Sequence, residues 1–326
     1  MDMTDYVAPN AELVYFSRLG AGLAPDEVYE AVTDRRLVAM RGFLRPAADV
    51  ALFAAEMAAW PGQDPPPFRA GRARWLEDNR FAREQVLDQL RSDGPLPARE
   101  LVADFARDWR SSGWNDVKNM QMLLECLEEV GEVAVSHREG RQRIWDLAVR
   151  IYPEVRRIPV AEAIEERDRR RLRSLGIART KGPACPVEPM GVGAAGVPAR
   201  VTGVRGEWRV DPELLDVPFN GRTAVLSPLD RLLFDRKRMT ELLEFEYALE
   251  MYKPAGQRRW GYFALPVLHL DRLVGKVDAR ADPRAGVLLI RAVHEDAPWP
   301  AAVHRAVRIE LDALAAHLGL EVQTAG

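Results

Sequence analysis

The chain has 326 residues, of which 47% are hydrophobic and 29% charged, with a formal net charge of −3. This composition is typical of a globular protein of two or three domains, and two cysteines are too few for a disulfide framework or a zinc quartet. The apolar stretches are too short for a transmembrane helix, and the start lacks a signal-peptide pattern. We therefore expect a cytoplasmic protein without a membrane partner.

The middle of the chain predicts helices followed by a two-stranded hairpin. The predicted elements are three helices, over 77–92, 97–105 and 114–130, and two strands, over 132–135 and 143–147. A basic turn at 138–141 joins the strands. This order is that of a winged helix, in which 114–130 is the recognition helix and 138–143 is the wing. The alternative is a winged helix that binds another protein or acts as a scaffold.

Basic residues are concentrated between positions 138 and 181, where 13 arginines and lysines stand beside 7 acidic residues. Such a segment can supply a local basic face for DNA phosphates although the whole chain is slightly acidic. The other interpretation is a solvated arginine-rich helix of mixed charge.

The second half predicts a degenerate copy of the same pattern and then a different block. The copy consists of a helix over 160–174, a short element from 177, a hairpin of strands 197–201 and 207–210, and a linker over 212–222. The last block consists of a helix over 229–243, strands over 245–252, 260–270, 272–278 and 286–293, and a helix over 299–318.

Two carboxylates, Asp230 and Asp235, could form a catalytic dyad, but their place at a helix start favours a capping role. The five histidines are scattered without the spacing of metal ligands. There is also no glycine-rich phosphate loop and no nucleophile elbow, so we expect neither a metal nor a cofactor.

Several motifs together resemble one known family. They are LSPLDRLLFDRKR at 226–238, FEY at 245–247, RRWGYFALPVL at 258–268, LVGKVDAR at 273–280, AGV at 285–287, SGW at 112–114, Lys118, RQR at 141–143, DL at 146–147, SLGI at 174–177 and LVYFSRLG at 13–20. The chain resembles the YcaQ/AlkZ family of winged-helix DNA glycosylases along nearly its whole length, most strongly from 226 to 293.

This resemblance implies an α+β fold of three tandem winged-helix units, the first incomplete, and a C-terminal β-rich module. The implied division is 1–75 for the incomplete first unit, 76–153 for the second winged helix, 154–216 for the degenerate third and 217–326 for the module. It also implies a monomer that binds double-stranded DNA, associates with the nucleoid when bound, and excises alkylated or crosslinked purines.

The family's active-site motif, Gln-apolar-Asp or Gln-apolar-Gln, lies a fixed distance before the segment 16–20. A gapless count places its last residue on Asp2 and its apolar residue on Met1, so the glutamine would precede the sequence. Either the start codon is misassigned or the chain is truncated. Asp2 is then the implied catalytic residue, because a carboxylate stabilises the oxocarbenium character of the sugar.

The remaining candidates are expected to contact DNA. They are Trp114, Lys118, Arg138, Arg141, Arg143, Arg258, Arg259 and Lys276. Aromatic residues beside the last three suit a DNA-contact face, although alternating aromatics are more often core. The rival function is a non-catalytic winged-helix DNA-binding protein or regulator, and a protein-interaction module is a third.

Overall fold

The computed structural model describes residues 6–109, 119–140, 142–183, 185 and 188–325 of the chain. Helices and several separate sheets both contribute, so the predicted mixed α+β class is confirmed. Within the described ranges, no helix combines the length and the apolar composition needed to cross a bilayer.

The helices and strands are numbered in chain order. The described helices are α1 (Asn10–Leu19), α2 (Glu27–Thr33), α3 (Ala51–Ala58), α4 (Pro67–Asp78), α5 (Arg80–Asp93), α6 (Asn119–Glu129), α7 (Ala148–Ile151), α8 (Val160–Leu175), α9 (Arg231–Phe234), α10 (Arg236–Leu243) and α11 (Ala301–His317). The described strands are β1 (Leu37–Met40), β2 (Phe43–Pro46), β3 (Leu96–Pro97), β4 (Val133–Glu139), β5 (Gln142–Leu147), β6 (Ile177–Arg179), β7 (Val197–Ala199), β8 (Trp208–Val210), β9 (Thr223–Val225), β10 (Leu265–His269), β11 (Arg272–Asp282), β12 (Val287–Glu295) and β13 (Glu321–Thr324).

The chain divides into two compact units. Unit 1 contains Met1–Val28 and Asp168–Gly326, and unit 2 contains Tyr29–Arg167. The four-part division expected from the family resemblance stays a prediction.

Unit 2 begins with the β1–β2 hairpin. Its two-residue turn, Arg41 and Gly42, has positive φ angles of 51° and 79°, as a tight hairpin turn of the primed type requires. Met40 of this hairpin and Phe53 of α3 are both buried and belong to one hydrophobic core cluster. Packing of Met40 in this cluster therefore anchors the hairpin next to its turn.

The second sheet of unit 2 has the strand order β3-β5-β4. The predicted hairpin is confirmed, with Arg138 opposite Arg143 in its register. Helix α5 ends at Gly94, whose φ of 81° suits a glycine after a helix, so the predicted stop is confirmed as well. Residues 114–118 of the predicted recognition helix lie outside the described residues, and α6 covers Asn119–Glu129 of it.

The predicted helix over 97–105 is wrong, because this segment is short strand, turn and extended chain. Its backbone bonds to glutamine side chains of α5. Gln89 Oε1 accepts from Val102 N at 3.0 Å, and Gln85 Oε1 accepts from Asp104 N at 2.8 Å. Since these side chains satisfy the backbone groups, the segment does not need intrahelical hydrogen bonds.

Unit 1 contains a small sheet of order β6-β8-β7 and a five-stranded sheet of order β13-β12-β11-β10-β9. In the large sheet only β13 runs parallel to its neighbour β12. The main core cluster of unit 1 includes Phe263, Val277 of β11, Leu314 of α11, and Leu13 and Phe16 of α1. Helix α1 thus packs against the five-stranded sheet and α11, and burial of each large side chain stabilises the fold by roughly 2–3 kcal/mol.

Two predicted elements of the C-terminal block differ from the structure. The helix predicted over 229–243 is divided into α9 and α10 at Asp235. The strand predicted over 245–252 joins no sheet. Phe245 and Tyr247 nevertheless point inward, and the Tyr247 hydroxyl donates to Ala264 O at 2.9 Å. The alternation of buried Phe245 and Tyr247 that resembled a strand therefore comes from side-chain packing, because this segment pairs with no strand.

Candidate nucleic-acid interface

The β4–β5 hairpin carries two of the arginines predicted to contact DNA. Arg138 is exposed, and the half-buried Arg143 places its guanidinium over the Trp145 ring, 4.9 Å from the centroid. Directly opposed residues of an antiparallel pair share one face of the hairpin, and like charges there are unfavourable. Arg138 and Arg143 therefore bring two positive charges to opposite positions of this hairpin.

Four other predicted site residues lie outside the described residues. They are Asp2, Trp114, Lys118 and Arg141.

The acidic residues of α6 point toward partners inside unit 2. Arg72 pairs with Glu125 at 3.5 Å and with Glu129 at 2.5 Å, and Trp60 Nε1 donates to Glu129 Oε2 at 2.7 Å. These contacts neutralise carboxylates that would otherwise repel DNA. Their partners lie far away in sequence, which is why helix periodicity did not reveal them.

Glu128 ties α6 to the first hairpin. Its side chain is buried and its Oε1 accepts from the backbone N of Arg41 at 2.9 Å, inside the hairpin turn. Burial raises the pKa of Glu128 to about 7, opposed by the hydrogen bond from Arg41 and by the charge of Arg143. The carboxyl therefore holds the turn in place and titrates near neutral pH.

A cluster of guanidinium groups surrounds Phe53, which we call the Phe53 cluster: Arg41, Arg45 and Arg167. Their Cζ atoms lie 5.6, 4.7 and 4.4 Å from the ring centroid. Arg167 bonds to Glu56 at 2.5 Å, and Arg41 lies 3.8 Å from the same carboxylate. Burial lowers the pKa of Arg41 against the opposing pull of Glu56. The sequence prediction missed this cluster, in which Arg41 comes from the β1–β2 turn and Arg45 from β2.

In unit 1, an aromatic platform lies beside the predicted arginines. The Tyr6 ring lies 4.7 Å from that of Tyr262 and 5.3 Å from that of Phe263. Arg258 stacks over Tyr262 at 4.9 Å, and Arg259 over Trp260 at 4.9 Å. The N-terminal arm therefore meets the basic loop that carries Arg258 and Arg259.

Lys276 is not part of an exposed basic surface. Its side chain is 2% exposed, and Nζ lies 2.5 Å from Asp296 Oδ1. The ammonium also lies 4.0 Å from the Phe245 ring centroid and 5.0 Å from that of Trp260. This burial corrects the expectation of a phosphate ligand, because a covered and neutralised ammonium has no room for a phosphate.

Asp278 is a buried carboxylate that the sequence prediction did not single out. Burial raises its pKa, while the charges of Arg291, His294 and Arg258 lower it. A Cβ at Gly261, where φ is 124°, would lie 2.4 Å from Asp278 Cγ, so only glycine lets this loop close over the carboxylate. The glycine between two aromatic residues was the available sequence signal.

Asp230 and Asp235 cap helices, as predicted. Asp230 Oδ1 accepts from Leu232 N at 2.9 Å, and Asp235 Oδ1 accepts from Arg238 N at 3.0 Å. Asp230 also receives Arg18 of α1, whose Nη2 donates to Oδ1 at 3.0 Å. Both aspartates therefore have structural roles, and Asp230 also links α1 to α9.

Comparison with known proteins decides the family. The model of the AlkZ-like DNA glycosylase family matches residues 1–317 of the chain. The chain belongs to this family. The solved structure of the Streptomyces sahachiroi DNA glycosylase AlkZ is similar in fold, with a TM-score of 0.58 and 17% identity, covering 97% of this chain and 89% of that one.

As an AlkZ-like DNA glycosylase, the protein acts on DNA, so its accessible arginines are candidates for phosphate contact. In the part of this AlkZ-like glycosylase that the structure describes, no three histidine, cysteine or acidic side chains are grouped as metal ligands.

Proposed function

We propose that this AlkZ-like glycosylase hydrolyses the N-glycosidic bond of alkylated or crosslinked purines of the N7-alkylguanine type. The observation that carries the proposal is the family match over residues 1–317, which includes the N-terminal segment with Asp2. In the sequence, Asp2 precedes Tyr6 of the aromatic platform by four residues.

The proposed chemistry needs one carboxylate. The bond between C1′ and the purine nitrogen breaks with its electron pair leaving on the base, and positive charge develops on the sugar. The Asp2 carboxylate stabilises that charge and accepts a proton as water adds to C1′. An N7-alkylated purine already carries positive charge and is a good leaving group, so little acid catalysis is required.

We infer a winged helix for residues 76–153. Helix α5, strand β3, helix α6 and the β4–β5 hairpin correspond to four parts of that motif, and β3 pairs with β5 as a third strand. In the same proposal, the first unit carries the β1–β2 hairpin and the degenerate third unit carries the β6-β8-β7 sheet.

The proposed DNA contacts are of two kinds. Arg138 and Arg143 of the wing hold phosphates, together with Trp114, Lys118 and Arg141 of the adjoining sequence. Arg258 and Arg259 hold phosphates near the aromatic platform, where stacking on Tyr262 and Trp260 restrains their side chains. Such contacts set position and affinity, and they carry no base sequence information.

The experiment measures release of N7-methylguanine from an alkylated duplex by the wild-type chain and by Asp2→Asn. We expect the variant to lose about 100-fold or more in rate while keeping its DNA affinity. Asp5→Asn is the matched control, since it removes another carboxylate of the same N-terminal stretch. Equal release by Asp2→Asn and wild type would contradict the role of Asp2. DNA binding without release by the wild type would favour the non-catalytic function.

A further inference from the structure

A cavity of about 590 Å³ lies in unit 2 between α4 and the segment 106–109. Arg74 and Trp75 of α4 line one side, and Arg107 and Trp109 line the other. A volume of this size is within the range of small-ligand pockets. The feature therefore has the dimensions of a binding site.

Buried hydrogen bonds hold the cavity wall in place. Asn79 is 1% exposed, and its Nδ2 donates to Arg107 O at 3.1 Å while its Oδ1 accepts from Arg107 N at 3.1 Å. Trp75 Nε1 donates to the same carbonyl at 2.9 Å. On the far side, Asn119 Oδ1 accepts from Trp109 N at 2.8 Å. These bonds hold the segment firmly against α4 and α6.

Gly71 lines the cavity on the α4 side. Gly71 lies inside α4, and it shares a helix face with Arg74 and Trp75 because they follow at three and four residues. Glycine inside a helix is less stable than alanine, yet nothing lies within 4 Å of the position that a Cβ would occupy. No packing requirement accounts for a glycine there, and the space in front of it belongs to the cavity.

The lining joins aromatic rings to positive charge. Trp109 meets Trp75 edge to face, with centroids 5.6 Å apart. Arg107 Nη1 donates to Asp78 Oδ2 at 2.8 Å, and Asp108 Oδ1 accepts from Asn119 Nδ2 at 2.7 Å. Arg74 is exposed, and among the described residues it makes neither a hydrogen bond nor an ion pair. Its guanidinium is the available anion ligand.

We propose that this cavity binds one nucleotide of a DNA strand that has left the base stack, with the base against Trp109 and the phosphate at Arg74. Aromatic rings stack on the π-face of every base, and an arginine complements the phosphate. The inference rests on DNA as the partner of the proposed function and not on its catalytic step.

The test compares the affinity of the whole chain for a labelled 12-nucleotide single strand and for the matching duplex by fluorescence polarisation. Gly71→Leu fills the cavity, and Arg74→Gln removes its free charge. We expect either change to raise the single-strand Kd about 10-fold and the duplex Kd less than about threefold. Gly71→Ala and Arg80→Gln, an exposed arginine of α5, are the controls and should stay within about twofold.

An equal loss of affinity for single strand and duplex, or no loss for either, would contradict the proposed nucleotide pocket. Thermal melting of each variant checks folding, and Arg74→Gln decides if Gly71→Leu does not fold.

N7-methylguanine release separates the two proposals. If both substitutions weaken single-strand binding as expected but the wild type releases no base, the pocket is supported and the catalytic proposal is contradicted. If the wild type releases base and both substitutions leave single-strand binding unchanged, the catalytic proposal is supported and the pocket is contradicted.

Discussion

Strand β11 of unit 1 and the β4–β5 hairpin of unit 2 each carry a cation that the sequence marked as a DNA ligand. Lys276 of β11 lies over two aromatic rings and pairs with Asp296 at 2.5 Å. Arg143 of the hairpin is half-buried and lies over the Trp145 ring. A stacked cation is therefore not in itself a sign of DNA contact.

The difference comes from what covers each strand. The segment around Trp260 lies over the face of β11, so the Lys276 ammonium is held inside and its charge is neutralised locally. Arg138 of the β4–β5 hairpin, in contrast, is exposed to solvent. An exposed cation can be reached by a phosphate, whereas the buried Lys276 ammonium cannot.

The largest expected loss of stability follows from removing Trp145, the ring on which Arg143 of the β4–β5 hairpin lies. Trp145 is 1% exposed, and Trp145→Ala should lower the free energy of unfolding by about 3–5 kcal/mol because it opens a large cavity under the hairpin. Urea denaturation measures this, with Trp145→Phe as the milder control. A loss below about 1 kcal/mol would mean that the hairpin does not depend on this ring.

A second effect is a pH dependence at Glu128. Its pKa of about 7 in the folded chain lies above the ordinary 4.5, so between these values the folded state holds more protons than the unfolded state. Stability should then fall as pH rises from 4.5 to 7, by about 2–3 kcal/mol, and stay level above 7. Glu128→Gln should remove this slope in urea titrations across that range, whereas Glu125→Gln should keep it.

A third effect separates stability from DNA binding in unit 1. Lys276→Ala removes the ammonium from two rings and one carboxylate, and should cost about 2 kcal/mol of unfolding free energy. Affinity for duplex DNA should stay within about twofold, as should that of the control Arg280→Ala on the same strand. A large loss of affinity without a loss of stability would restore Lys276 as a DNA ligand.

The smallest effect on stability is expected for Arg143→Gln, below about 1 kcal/mol. Its DNA affinity should fall, and the slope of log K against log salt concentration should decrease by about one, because one phosphate contact is lost. Binding measured at several salt concentrations gives this slope. Arg91→Gln, on the exposed side of α5, is the matched control, and an equal change in both variants would argue against a specific contact.

Local patterns predicted well those elements whose ends are marked by particular residues. The stop of α5 at Gly94, the hairpin turn before Arg143 and the caps Asp230 and Asp235 all depend on short-range geometry. The family motifs likewise identified the AlkZ-like glycosylases, as the match over residues 1–317 confirms. The predicted roles of Asp2 and the wing residues stay predictions.

Other features depended on neighbours that are distant in sequence. The segment after Pro97 is extended because Gln85 and Gln89 bond to its backbone. Glu129 of α6 pairs with Arg72 and accepts a hydrogen bond from Trp60, and both partners come from earlier segments. No local pattern contains these partners.

The sequence by itself determined the α+β class, the glycosylase family, the end of α5 before Gly94, the helix caps Asp230 and Asp235, and which residue types were available to meet DNA. Only the tertiary structure decided which cations meet solvent: it buried Lys276, left Arg138 exposed, gathered arginines around Phe53 and left an open cavity in front of Gly71. The physical reason is that the charge a group presents depends on its cover and its counter-charge. Both come from segments that folding brings together across long stretches of chain.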